Sequence, residues 1–203
     1  MIKWLVVFLI GLALLAAATG LALAQQSAAA HLREAPPQAA RLPRSLGVNV
    51  ALEQYDPQQR ADALAELAAA GFGWVRQRFP WDQIEPMPGV FDWTPWDEIV
   101  ADATKQGLEL VAVLDGSPAW ARPAADADNP LAPPASRADF GRFAAAFAQR
   151  YGATLRYYQI WDEPNIAPHW GDRYVNASDY AGLLREGAVQ VHSADADAVV
   201  LLA

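Results

Sequence analysis

The sequence contains no cysteine, which excludes disulfides, zinc–thiolate sites and cysteine nucleophiles at once. Histidine is scarce: His31, His169 and His192 are too few and too scattered for a ligand set, so no metal is expected. Basic runs are also missing. With a formal net charge of −8, the chain would repel phosphate backbones, and nucleic acid is excluded as a partner. Finally, "VNVALEQYD" lacks the glycine-rich turn that cradles a dinucleotide phosphate, and no cofactor is implied.

What the chain has begins with apolar length. After Met1-Ile2-Lys3, residues 4–24 are uncharged and mostly Leu, Val, Ala and Ile. Ala22-Leu23-Ala24 before Gln25 fits a signal-peptide cleavage site, and the stretch is also long enough to anchor in a bilayer uncleaved. Either reading places the remainder outside the cytoplasm, because Lys3 favours the inner side. Residues 25–44, rich in Ala, Gln and Pro without apolar periodicity, read as a linker. Residues 45–203 are then one domain, and a content of 53% hydrophobic residues is enough for a sizeable core.

Within that domain, short apolar runs alternate with helical patterns. "SLGVNV", "GWVRQRF", "LELVAVL", "LRYYQIW" and "AVVLLA" read as strands. Asp56-Pro57, Thr94-Pro95 with Asp97, and Ser136 with Asp139 mark three helix starts, and a fourth helix is expected over 178–191. Gly71, Gly107 and Gly152 mark three helix ends. Strand, helix, strand at this spacing predicts an α/β fold with a parallel sheet. A doubly wound sheet and a (β/α)8 TIM barrel compete. The barrel is favoured because "RFPW", "LDGSPAW" and "WDEPN" all sit at carboxyl ends of strands, where barrels keep their chemistry. The count is four β/α units and the start of a fifth strand, so the barrel is expected to be truncated, with the natural sequence continuing past Ala203.

Eight tryptophans, seven of them after residue 70, suit the flat apolar faces of sugar rings, although core packing is expected to claim about half. "QIWDEPN", preceded by "RFPWDQIEPMPGVFDW" and "VLDGSPAWA", resembles the retaining glycoside hydrolases of clan A. The nearest likenesses are the family thirty-nine xylosidases and related cellulase-like barrels, and the resemblance spans residues 45–203. It implies that Glu163 is the acid/base and that a nucleophilic glutamate ends strand seven, outside this chain. The chemistry is consistent: a glycosidic oxygen is a poor leaving group until protonated, and a carboxylic acid can supply that proton and later take one from water.

Asp162 stands where the resemblance leads one to expect Asn, whose amide donates to a sugar hydroxyl. An ionised Asp accepts but cannot donate. Arg76 matches the clan's strand-two arginine, although Arg78 points to the same side and competes for the part. Glu85 is assigned to shaping its loop. Asp115 and Trp120 are read as a hydroxyl acceptor and a sugar-stacking wall, or else as a cap and a packing residue. His169 and Trp170 are candidates for the leaving-group side of the cleft. The resulting expectation is a glycoside hydrolase that binds a poly- or oligosaccharide and is inactive without its missing strands. The alternative is a non-catalytic carbohydrate-binding or scaffold barrel.

Overall fold

The computed structural model describes residues 46–203; the expected signal or anchor (1–24) and linker (25–44) lie outside the described residues. Five strands, β1 (Gly47–Val50), β2 (Trp74–Pro80), β3 (Glu109–Asp115), β4 (Tyr157–Ile160) and β5 (Val199–Leu202), alternate with four helices. These are α1 (Pro57–Ala69), α2 (Thr94–Lys105), α3 (Arg137–Tyr151) and α4 (Ala177–Ala194). The strands pair in the order β1-β2-β3-β4-β5, every neighbour parallel. Consecutive parallel strands joined by helices are the repeating unit of the barrel.

Local chemistry explains where the helices begin. The Asp56 carboxylate accepts from the Gln59 N–H at 2.9 Å, and the Gln59 side chain accepts from the Asp56 N–H at 3.3 Å. This capping box, with Pro57 in the first turn, opens α1. Ser136 caps α3 through the Asp139 N–H. The fourth helix is longer than expected and is capped by Asn176, which accepts from the Ser178 N–H at 2.9 Å. Asp97 does not cap α2. Its carboxylate ties that helix to α3, accepting from Arg150 and from the Tyr151 hydroxyl.

Alternation along the strands divides the sheet into two faces. Val75, Phe79, Leu110, Ala112, Leu114, Tyr158 and Ile160 are all buried and pack against the helices. Phe79 meets Trp96 of α2 and Phe147 of α3 at ring-centroid distances of 5.5 and 5.0 Å. Helix α4 reaches this layer through Gly187, where a methyl group would stand 3.0 Å from Ile160 and 3.1 Å from Phe140. The opposite face carries Asn49, Arg76, Arg78, Val111, Val113, Tyr157 and Gln159, brought abreast by the strand register. In a closed barrel that face is the interior. Among the described residues, no helix is long and apolar enough to cross a membrane.

Candidate active site

The carboxyl ends of β2, β3 and β4 converge on one rim. The chain leaves β4 through two left-handed residues, Trp161 at φ 70° and Glu163 at φ 47°. They are the only non-glycine residues with positive φ among those described, and such conformations cost about 1–3 kcal/mol each. Four contacts hold Trp161 there. Its ring is buried, its N–H donates to the Leu114 carbonyl at 2.9 Å, and its indole donates to the His169 carbonyl at 2.8 Å. Its own carbonyl accepts from the Gln159 amide at 2.8 Å. This turn breaks the strand's alternation and presents Glu163 outward, with its side chain 52% exposed and its carboxylate 3.4 Å from His169 Nε2.

Asp162, between the two left-handed residues, turns the other way. It binds Arg76 at 2.5 Å, and the same guanidinium donates to Gln159 at 2.9 Å and to Asn49 at 3.3 Å. A polar row therefore crosses the inner face from β1 to the end of β4. Sequence reasoning misses Gln159 and Asn49, although strand register places both beside Arg76. The competing arginine has a different partner: Arg78 donates to Asp115 at 2.7 Å.

Asp115 is only 2% exposed. Burial pushes its carboxyl up to about 6, with the Asp162 and Asp82 charges adding and Arg78 partly offsetting. One oxygen is taken by Arg78 and the other, Oδ1, is buried without a partner, so the carboxylate does not face solvent as the expected hydroxyl acceptor would. Trp120 is half-buried, edge-on to Trp81 at 5.4 Å, and its indole donates to the Glu85 carbonyl at 3.1 Å. Glu85 itself is a loop clamp, accepting from the Trp81 indole at 2.6 Å and the Gly89 N–H at 2.7 Å.

Trp170 requires a correction. It is 2% exposed and wedged edge-on between Trp161 and Tyr180, each at 5.9 Å. The ring packs the loop between β4 and α4 over the core, and what remains of it lines a pocket with Pro134, Arg137, Arg173 and Leu183 that includes none of the other expected site residues. The structure thus brings Glu163 and His169 together, and Asp162 and Arg76 together, and takes Trp170 and Asp115 out of solvent reach. Among the described residues, no three His, Asp or Glu side chains cluster as metal ligands would.

Known proteins share this fold. A family 39 glycoside hydrolase from Bacteroides cellulosilyticus superposes with a TM-score of 0.62 at 22% identity, over 80% of this chain and 32% of that one. The fold is the parallel β/α barrel fold of that glycoside hydrolase. The family 39 enzyme from Xanthomonas axonopodis gives a TM-score of 0.63 at 18% identity, over 83% of this chain and 36% of that one. Endo-glycoceramidase II from a Rhodococcus species gives 0.57 at 17% identity, over 77% and 48%. Residues 51–128 match the glycoside hydrolase family 42 model, described as beta-galactosidase. No curated protein matches by sequence. The chain therefore spans between about a third and a half of these solved structures.

Proposed function

We propose that the protein carrying this chain is a retaining glycoside hydrolase of poly- or oligosaccharides, with Glu163 as its acid/base. One observation carries this reading. At the carboxyl end of β4, a strained turn presents a half-exposed glutamate with an imidazole against its carboxylate. Barrels of this kind place catalytic groups at that rim. The glutamate protonates the leaving oxygen in the first step and deprotonates water in the second. The nucleophile would come from strands beyond the five described. Residues 4–24 would export the domain, so that it meets its substrate outside the cytoplasm.

Glu163→Gln keeps the shape and removes the titrating proton, so it should lower the rate about 100-fold or more on unactivated substrates. Aryl glycosides with good leaving groups should lose less, and azide should restore part of the rate by attacking the covalent intermediate. Equal losses on both substrate classes without azide rescue would overturn the assignment.

One observation favours the non-catalytic alternative. Arg76, the match to the arginine that orients a nucleophile in the clan, has its guanidinium engaged by Asp162, Gln159 and Asn49. Sugar binding without turnover by the longest native chain, over a panel of aryl glycosides, would decide for that alternative.

A further inference from the structure

We infer that Asp126, assisted by Asn129, is a positioning residue that aims Glu163 through His169. The inference rests on Glu163 being the acid/base.

Asp126 belongs to the loop between β3 and α3 and is only 5% exposed. A buried carboxylate is costly unless its partners compensate. All of its partners lie in the next loop along the rim. It accepts from the Asp172 N–H at 3.0 Å and from the Arg173 guanidinium. Burial by itself would raise its pKa, but these two donors more than offset that and hold it below the usual carboxylate range. The fit depends on Gly171, whose φ is +75° and where a methyl group would stand 2.7 Å from the Asp126 carboxylate. Only a residue without a side chain lets the anion sit against that backbone.

Asn129 makes the second anchor. Its amide donates to the Pro168 carbonyl at 2.9 Å, while its oxygen accepts from the Leu131 N–H at 2.9 Å. Between the two anchored points, Pro168 and Asp172, lie only His169, Trp170 and Gly171. The His169 carbonyl is fixed from below by the Trp161 indole, and Trp170 is buried. The backbone that carries the imidazole is therefore held on both sides, and the side chain is only 23% exposed. Its Nε2 makes the one polar contact to the Glu163 carboxylate among the described residues.

That contact limits where the carboxylate can go. Glu163 is exposed and its side chain rotates freely without a partner, whereas proton transfer requires its oxygen within hydrogen-bond reach of the leaving atom. An error of about 1 Å in such a position can cost about 100-fold in rate. Asp126 and Asn129 touch neither Glu163 nor the substrate; they hold the segment that does the aiming.

The test uses the full native protein carrying this chain, with Asp126→Asn made alone and in the Glu163→Gln background. The asparagine keeps an oxygen for the Asp172 N–H but gives up the charge that grips Arg173. On an unactivated disaccharide, kcat/KM should fall about 10-fold, and on an aryl glycoside with an activated leaving group, whose departure needs no proton, kcat/KM should hardly change. In the Glu163→Gln background, Asp126→Asn should cost nothing further, because the two changes act through one group. Equal losses on both substrates, or the same loss in both backgrounds, would mean that Asp126 only supports the fold and would overturn the inference. A Glu163→Gln variant that itself ignores the leaving group would overturn the acid/base reading and this inference together. Should Asp126→Asn fail to fold, Asn129→Ala goes through the same comparison, where a loss confined to the unactivated substrate supports the inference and an equal loss on both overturns it.

Discussion

At the scale of single residues, Asp115 carries a pH-dependent stability. An aspartate in an unfolded chain titrates near about 3.9, and burial raises Asp115 to about 6 in the fold. The folded state binds this proton more tightly, so the stabilisation is complete below about pH 4 and is lost as pH rises through about 6. A shift of about two units corresponds to about 3 kcal/mol. Asp115→Asn should therefore gain stability relative to wild type by roughly that amount between pH 4 and pH 7. Denaturant unfolding of both proteins at the two pH values measures it, and a constant difference would show that Arg78 keeps the carboxylate ionised throughout. Asp162→Asn should act differently. It releases Arg76 from one charged partner in a part-buried pair, costing about 1 kcal/mol, and supplies an amide donor toward a sugar. In the full protein, the proposed glycosidase activity, measured on an aryl glycoside, should hold or rise. At this scale the motif makes Glu163 and Asp162 legible in the sequence. Trp170 misleads because an aromatic in a polar loop gives no sign of which side it packs on. Asp126 escapes notice because its meaning lies in contacts across some 46 or 47 residues.

At the scale of elements, starts are readable and ends are less so. The capping box at Asp56 is written locally, so α1 begins where the sequence says. The strand expected to run through Trp161 stops pairing at Ile160 instead, because Trp161 turns left-handed, and a tertiary network enforces that turn. Asp97 resembles a first-turn helix residue and serves as an interhelical tie. The relative weight of these devices is testable. Asp56→Ala removes one side-chain cap and should cost about 1 kcal/mol. Phe147→Ala opens a void where Phe79, Phe143, Tyr151 and Tyr158 meet and should cost about 3–5 kcal/mol. Thermal and urea unfolding of the two variants should rank them in that order. The opposite ranking would mean that helix initiation, and not the aromatic layer, limits stability.

At the scale of the whole molecule, barrel and doubly wound sheet share the same early units, and the position of the chemistry decides between them in the sequence. The decision falls in favour of the barrel because its rim collects residues from the ends of several strands, as "RFPW", "LDGSPAW" and "WDEPN" already do. What the described sheet leaves open has a physical consequence. Strands β1 and β5 are its two edges, Leu202 at the β5 edge is 70% exposed, and Trp74, Val111, Tyr157, Val199 and Leu201 are only partly buried. Parallel sheets are stable when both faces are covered, and unpaired edges template pairing with another chain. A polypeptide of residues 45–203 expressed alone should therefore self-associate and show no glycosidase turnover. Leu202→Lys places a charge on the β5 edge without touching the aromatic layer, so it should raise the soluble, monomeric fraction while leaving the fold intact. Light scattering and circular dichroism of the two polypeptides provide the comparison. A monodisperse monomer from the unmodified polypeptide would show that neither the open edge nor the inner face drives association, and lysine leaving the association unchanged would show that the β5 edge does not.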